Sequence, residues 1–133
     1  MIFVDTSAVI AILAREQDGP SLADRLGRER EPITAGHVIL ESAMRLSSIF
    51  NVSPTAAGSQ VAALLRESSI RIVPIDQAVA DAAVAAFERY GKGRKTRAGL
   101  NFGDCLSYAC AKVHGAQLLF KGGDFAHTDI ARA

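Results

Sequence analysis

The chain has 133 residues, a length that predicts one domain with a single hydrophobic core over residues 1–133. Hydrophobic residues make up 49% of the sequence, which excludes a disordered chain. The formal net charge of +1 excludes a protein that attracts polyanions through its overall field, so any attraction to phosphate must be local.

Short apolar strands alternate with helices along the whole chain. The pattern predicts, in order, a strand at 2–4, helices at 7–13 and about 20–30, a strand at 32–34, helices at 36–50 and 55–68, a strand at 70–75, a helix at 77–90, a loop at 91–101, a helix at 104–114, a strand at 117–121, a turn at 122–124 and a short last element reaching 130. Ser53 and Asp76 are expected helix N-caps, and Gly115 a helix end. This alternation predicts an α/β fold in which helices cover both faces of a parallel sheet.

Four acidic residues lie near the predicted carboxyl ends of strands or on nearby helices. Asp5 follows the first strand, Glu41 lies within a helix, Asp104 is in a first helical turn, and Asp124 follows the last strand. Each also has an ordinary explanation. Asp5 can cap a helix, Glu41 can pair with Arg45, Asp104 suits a helix dipole, and Asp124 suits a turn.

The coincidence of the four acids predicts a cation site, because the carboxyl ends of parallel strands form the ligand-binding edge of such sheets. Two unit charges at ~4 Å repel by about 1 kcal/mol in water and about 4 kcal/mol at an effective dielectric near 20. Raised pKa values or a cation must relieve that repulsion. A set of carboxylate oxygens favours Mg²⁺ or Mn²⁺ over Zn²⁺, and His37, His114 and His127 lack zinc-motif spacing.

Polar and basic residues near the acids are further candidates for the site. The hydroxyls of Thr6 and Ser7 can hydrogen-bond the Asp5 carboxylate or a water, or can be ordinary first-turn groups. His37 precedes Glu41 by one helical turn and can either orient that carboxylate or start the helix. A basic run before Asp104 is either a solvated loop or a set of phosphate contacts: Lys92, Arg94, Lys95 and Arg97.

The two cysteines are not expected to pair. Cys105 and Cys110 lie five residues apart on one predicted helix, so they point roughly 140° away from each other. Both are expected to be small buried residues. No signal peptide precedes Asp5 and no apolar run reaches membrane-spanning length, so we expect a cytoplasmic protein without a membrane partner.

The ordered acidic motifs resemble those of PIN-domain ribonucleases and, more narrowly, the VapC toxins of bacterial toxin–antitoxin pairs. The resemblance rests on Val4-Asp5-Thr6-Ser7-Ala8, Glu41, Gly91-Lys92-Gly93-Arg94, Asn101-Phe102-Gly103-Asp104-Cys105, Ser107-Tyr108-Ala109 and Gly123-Asp124-Phe125-Ala126-His127-Thr128-Asp129-Ile130. It covers nearly the whole chain. Residues 95–99 depart from the His-Pro-containing loop expected after Gly-Lys-Gly-Arg.

The resemblance implies a three-layer α/β/α sandwich and a Mg²⁺- or Mn²⁺-dependent endoribonuclease that leaves a 5′-phosphate and a 3′-hydroxyl. It implies that Asp5, Glu41 and Asp104 bind the metal, that Asp124 completes the pocket, and that Ser7 supports it. It also implies a homodimer, a small antitoxin that blocks the pocket, and transfer RNA or ribosomal RNA as substrate.

Two other functions remain open from the residues alone. A receiver-like phosphoacceptor domain also places acids at strand carboxyl ends, although it normally has an acidic pair after its first strand, where this chain has only Asp5. A non-catalytic module with the same fold, which binds RNA or an antitoxin, is the other alternative, and the complete set of four acids disfavours it.

Overall fold

A four-stranded parallel sheet organises the chain, and the computed structural model describes all residues 1–133. The elements are β1 (Ile2–Val4), α1 (Thr6–Leu13), α2 (Gly19–Gly27), β2 (Pro32–Ala35), α3 (Gly36–Phe50), α4 (Pro54–Glu67), β3 (Arg71–Val73), α5 (Gln77–Tyr90), α6 (Phe102–Val113) and β4 (Gln117–Leu119). The predicted α/β class, with a central parallel sheet flanked by helices, is confirmed.

The order of the strands places β1 in the interior of the sheet. The order is β3-β2-β1-β4, so β1 pairs with β2 on one side and with β4 on the other, both in parallel. The connections from β1 to β2 to β3 move one way across the sheet, and the connection from β3 to β4 returns. Right-handed crossovers therefore put α1–α4 on one face and α5–α6 on the opposite face. In agreement, α3 packs on α4, and α5 packs on α6.

The complete burial of β1 explains why every residue of this strand is apolar. Ile2, Phe3 and Val4 are each 0% exposed, because helices cover both faces of the sheet and neighbouring strands cover both edges of β1. The edge strand β3 differs, since Ile72 remains exposed. The core is otherwise built of Ala, Val, Leu and Ile, as the composition indicated.

Local capping chemistry confirms several predicted boundaries. Ser53 and Asp76 accept hydrogen bonds from the backbone N–H groups of the residues three positions later, both at 3.1 Å. Gly115, with φ of 63°, follows the end of α6. Both cysteines are buried and unpaired, as expected. No helix of the structure is both long and apolar enough to cross a membrane.

Some predicted boundaries are wrong by a few residues. The second helix ends at Gly27 rather than near residue 30, and β3 and β4 are three-residue strands rather than longer ones. Helix α6 begins at Phe102, two residues before the predicted start, because Asn101 caps it. The predicted last element is a series of turns with no helix or strand, although Leu118 forms an isolated parallel bridge with Arg132.

A buried hydroxyl ties β2 to the end of β1. The paired residues of these strands end with Phe3 opposite Ile33. Beyond that point the fully buried Thr34 donates a hydrogen bond from Oγ1 to the carbonyl oxygen of Val4 at 2.9 Å. Because Val4 immediately precedes Asp5, this bond helps to fix the strand end from which the first acid projects.

Replacing Thr34 with valine is expected to lower the free energy of unfolding by about 1 kcal/mol, because the shape is kept while the Val4 carbonyl loses a partner. Urea denaturation measures this change. Thr34→Ser, which keeps the hydroxyl, is the control for the hydrogen bond itself. A Thr34→Val protein as stable as wild type would show that the hydroxyl contributes nothing.

Candidate functional site

Asp5 lies at the carboxyl end of β1, beside the point where the strand connections change direction. Its backbone N–H donates to the Leu119 carbonyl of β4 at 3.0 Å, which continues the sheet by one residue. Its carboxylate accepts hydrogen bonds from the Ser7 backbone N–H at 3.0 Å and from Ser7 Oγ at 2.7 Å. Asp5 is therefore a helix cap, as the ordinary explanation required, and also a carboxylate that is only 5% exposed.

Ser7 joins the ends of the two neighbouring strands. Its Oγ donates to Asp5 and accepts from the backbone N–H of Lys121 at 3.0 Å. This places Ser7 between the residues that follow β1 and β4. In open α/β sheets, ligands bind outside the carboxyl ends of strands where the connection direction reverses, which is where Asp5 and Ser7 lie.

Glu41 is held against the start of α1 and the start of α6. Thr6 Oγ1 donates a hydrogen bond to the Glu41 carboxylate at 3.1 Å. On the other side, Gly103 packs so closely that a Cβ added there would lie 2.5 Å from the Glu41 carboxylate. Only glycine fits at position 103 without displacing Glu41. The structure thus brings the third helix and the sixth helix together around one carboxylate.

Asp104 is oriented by a reciprocal cap at the start of α6. The Asn101 side chain accepts from the Asp104 backbone N–H at 2.9 Å, and the Asp104 carboxylate accepts from the Asn101 backbone N–H at 3.1 Å. This capping box has a local signature in the sequence, an Asn and an Asp three residues apart, but it was not among the predicted features. It fixes the Asp104 side chain within electrostatic range of Asp5 and Glu41.

Asp124 is exposed and accepts no hydrogen bond. It lines a cavity of about 250 Å³ whose other walls are Ser7, Ile10, Glu16, Arg45, Lys121 and Gly122. The cavity therefore connects Asp124 with the Ser7 that holds Asp5. Neither Arg45 nor Lys121 was predicted as a site residue. Both line this cavity, where Lys121 Nζ is paired with Glu16 at 3.1 Å and with Asp18 at 3.2 Å. A larger cavity of about 410 Å³ lies between α1 and α2 and contains none of the four acids.

Burial and neighbouring negative charge raise the pKa values of Asp104 and Glu41. Burial raises the pKa of Asp104 to about 6, and the charges of Asp5, Asp124 and Glu41 add to this, against the hydrogen bond from Asn101. Burial and the charge of Asp5 also raise the pKa of Glu41, although Thr6 and Arg45 oppose the shift. The four carboxylates are therefore near enough to repel, and we refer to Asp5, Glu41, Asp104 and Asp124 as the acidic site.

The donor chemistry of the acidic site fits a hydrated magnesium or manganese ion. No three His, Cys, Asp or Glu side chains are grouped closely enough to hold an ion as direct ligands. Mg²⁺ does not require such a group, since it keeps several waters and usually takes one or two carboxylates together with substrate phosphates. An all-oxygen set in which burial and neighbouring carboxylates raise the pKa values of Asp104 and Glu41 suits that ion and does not suit a structural zinc ion. The metal itself stays a prediction.

His37 does not orient Glu41. Its Nε2 lies 2.9 Å from Ser107 Oγ, and its ring stacks on Phe3 with centroids 6.1 Å apart. Burial lowers the pKa of His37, against the charge of Asp5, which favours a neutral imidazole. His37 is therefore a packing residue behind the acidic site.

The basic residues of the 91–101 loop do not contact the acids. Lys92, Arg94, Lys95 and Arg97 are all exposed. The loop is closed at its base by backbone hydrogen bonds between Lys92 and Leu100 and between Leu100 and Tyr90, both at 2.8 Å. Its base therefore adjoins Asn101 and the start of α6, so the loop stands beside the acidic site and not within it.

A family model described as "PIN domain" matches residues 2–131. The chain is 43% identical over 128 residues to a "Ribonuclease VapC" of Mycolicibacterium smegmatis, covering 96% of each chain. It is 40% identical over 128 residues to "Ribonuclease VapC30" of Mycobacterium tuberculosis, covering 96% of this chain and 95% of that one.

Solved structures share the fold at low sequence identity. The crystal structure of VapC20 of Mycobacterium tuberculosis, described as a sarcin-ricin loop cleaving toxin, superposes with a TM-score of 0.76 at 22% identity, covering 100% of this chain and 98% of that one. A chain of a toxin–antitoxin complex from Klebsiella pneumoniae superposes with a TM-score of 0.72 at 17% identity, covering 97% of this chain and 93% of that one. These likenesses support the fold.

The raised pKa of Asp104 predicts a pH-dependent stability difference. Its pKa rises from 3.8 in the unfolded chain to about 6 in the fold, so its favourable contribution is full below about pH 4 and is lost as pH rises through 6. Relative to wild type, Asp104→Asn should therefore gain on the order of 2 kcal/mol between pH 4 and pH 7. Urea denaturation at several pH values measures this. Asp24→Asn, at an exposed position of α2, is the control, and its stability difference from wild type should not change with pH. If the stability difference of Asp104→Asn is also the same at every pH, the four carboxylates do not repel one another as described.

Proposed function

Since the chain belongs to the PIN-domain family, and within it to the VapC ribonucleases that serve as toxins of toxin–antitoxin pairs, we propose that it is a Mg²⁺- or Mn²⁺-dependent endoribonuclease whose acidic site hydrolyses RNA. The observation that supports this site most strongly is the raised pKa of Asp104 beside three further carboxylates. A divalent cation is the simplest group that relieves such repulsion and also attracts a phosphodiester.

The acids would hold the cation in unequal ways. Asp5 and Asp104 are fixed by capping hydrogen bonds, and Glu41 is fixed by Thr6, so these carboxylates are preorganised. Asp124 is exposed and unbonded, which suits a contact made through water. When bound, the cation supplies Lewis-acid activation of the scissile phosphate and of the attacking water. The hydrolysis would leave a 5′-phosphate and a 3′-hydroxyl.

The hydroxyl groups of Thr6 and Ser7 keep the carboxylates in place. Ser7 donates to Asp5 while accepting from the Lys121 backbone, so it locks Asp5 to the neighbouring strand end. Thr6 does the same for Glu41 across the helix interface. Groups that orient the ligands of a cation tune affinity and geometry, and Thr6 and Ser7 have that role in the proposal.

The basic loop is proposed to contact the RNA backbone. Lys92, Arg94, Lys95 and Arg97 are exposed beside the start of α6, where a strand entering the acidic site would pass. Such phosphate contacts increase affinity without selecting a sequence and weaken as salt rises. Transfer RNA and a ribosomal RNA loop are both proposed substrates, the latter because a relative with this fold is a sarcin-ricin loop cleaving toxin.

A small antitoxin is the proposed partner, together with a second copy of the chain. Structural relatives have been solved in toxin–antitoxin complexes, one from Klebsiella pneumoniae and one from Rickettsia felis. A segment of the antitoxin that neutralises the acidic site would inhibit the enzyme directly. The homodimer rests on the family resemblance.

Asp5→Asn and Asp104→Asn are expected to reduce RNA cleavage by at least about a hundredfold, because each removes a charge that holds the cation while keeping a capping oxygen. Cleavage of total RNA with Mg²⁺, with Mn²⁺ and with EDTA measures this. Asp76→Asn is a matched control, since Asp76 caps α5 away from the acids and asparagine caps equally well. Undiminished cleavage by both variants, or cleavage that persists in EDTA, would refute the proposed chemistry.

Gly103→Ala is expected to reduce cleavage at least about tenfold, because the added methyl group displaces the Glu41 carboxylate from Thr6. Gly58→Ala in α4 is the matched control, since its added methyl would meet only the Ala43 Cβ at 4.0 Å. Both substitutions improve helix propensity, and urea denaturation of both variants separates a displaced Glu41 from a general loss of stability. Equal activity of the two variants would mean that the position of Glu41 is unimportant.

A further inference from the structure

The segment that carries Asp124 has no helix or strand of its own. It leaves the sheet after Leu119 and returns to β4, where the Leu118 backbone N–H donates to the Ala131 carbonyl at 2.8 Å and the Ala133 N–H donates to the Leu118 carbonyl at 2.9 Å. Both ends of the segment are therefore fixed on one strand. Between these ends the backbone forms two local turns, in which the Ala126 N–H donates to the Gly123 carbonyl and the Thr128 N–H donates to the Phe125 carbonyl, both at 3.1 Å. Side chains hold these turns against the rest of the fold.

One anchor of this segment is apolar and lies directly beside Asp124. Phe125 is 2% exposed and packs edge-to-face on Phe120, with ring centroids 5.1 Å apart. Thr128 closes a turn over it, because its Oγ1 donates to the Phe125 carbonyl at 2.7 Å. This anchor fixes the backbone next to Asp124 but does not set the path of the segment along the helices.

The second anchor is Asp129, where α5, α6 and the segment meet. The Asp129 carboxylate accepts a short hydrogen bond from the Tyr108 hydroxyl and pairs with Lys112 Nζ at 3.2 Å and Arg89 Nη1 at 3.5 Å. Its backbone N–H donates to the Tyr90 hydroxyl at 3.2 Å. The Tyr108 bond lowers the pKa of Asp129, so the carboxylate is charged at neutral pH.

The partners of Asp129 on α6 share a face with a member of the acidic site. Asp104, Tyr108 and Lys112 follow one another at four-residue spacing, so their side chains lie along one side of the helix. Asp129 contacts Tyr108 and Lys112, while Asp124 lies within electrostatic range of Asp104. The segment therefore runs beside α6, and the contacts of Asp129 fix its position along that helix.

We propose that Asp129 is a positioning residue, which acts through the segment 124–129 to hold Asp124 beside Asp104 at the acidic site. Asp124 accepts no hydrogen bond of its own, so its place depends on where the segment is tied down. Asp129 touches neither the cation nor the RNA in this proposal. The inference rests on the proposed function insofar as Asp124 contributes to cation binding.

The test measures Mn²⁺ affinity of the RNA-free protein, by electron paramagnetic resonance of free Mn²⁺, for wild type and for Asp129→Asn. Outer groups that orient ligands typically change affinity by about 10–100-fold, and Asp129 acts at a greater distance, so we expect about three- to tenfold weaker binding. Tyr108→Phe removes only the hydroxyl that meets Asp129 and should weaken binding in the same direction.

Two comparisons separate positioning from a general loss of stability. Glu29→Gln disrupts less exposed ion pairs with Arg25 and the Met1 amino group, at the opposite end of the sheet from the acids, and should leave Mn²⁺ affinity unchanged. In an Asp124→Asn background, Asp129→Asn should have no further effect, because the group it positions is already lost.

The proposal is overturned if Asp129→Asn binds Mn²⁺ as tightly as wild type, or if it weakens binding equally with and without the Asp124 carboxylate. If instead the proposed function is wrong, the wild-type protein itself will take up no Mn²⁺. In that case hydrogen exchange of residues 122–130 decides the positioning role. Faster exchange in Asp129→Asn and not in Glu29→Gln supports it, and unchanged exchange rejects it.

Discussion

Mutual repulsion of carboxylates is the constraint on which the rest of this structure depends. Asp5, Glu41, Asp104 and Asp124 carry like charges at one edge of a domain whose length gives it ordinary stability, about 5–15 kcal/mol. The fold resists this repulsion with local hydrogen bonds from Thr6, Ser7 and Asn101 to individual carboxylates, and leaves the remaining charge for a cation.

The topology of the sheet makes that crowding possible. Because β1 lies between β2 and β4, at the point where the strand connections reverse direction, the carboxyl end of β1 is open to both helical layers. Glu41 reaches it from α3, which follows β2, and Asp104 reaches it from α6, which covers the other face. Residues far apart in sequence thus converge because parallel strands all end at one edge. The absence of a side chain at Gly103 lets α3 and α6 approach closely enough.

Hydrophobic pattern and capping residues made most of the fold predictable. The buried run Ile2–Val4 and the caps Ser53 and Asp76 place elements through local interactions, and local interactions can be read from adjacent residues. The four residues of the acidic site were predictable, but the contacts that hold their side chains in place were not. The bond from Thr6 to Glu41 and the approach of Gly103 to Glu41 join positions separated by 35 or more residues, and nothing in the local sequence specifies them. The turn at 122–124 was predicted correctly, but the element predicted to reach residue 130 was wrong for the same reason. Long-range side-chain contacts hold this segment, and no periodic pattern in the local sequence marks them.

Anomalous diffraction from a crystal grown with Mn²⁺ tests the central claim most directly, because it locates the cation without reference to activity. The account predicts an anomalous peak at the acidic site, within bonding distance, about 2.0–2.6 Å, of a carboxylate oxygen of Asp5 or Asp104. A crystal at neutral pH whose only Mn²⁺ peaks lie elsewhere on the protein, with the four carboxylates as described and no ion between them, would contradict it.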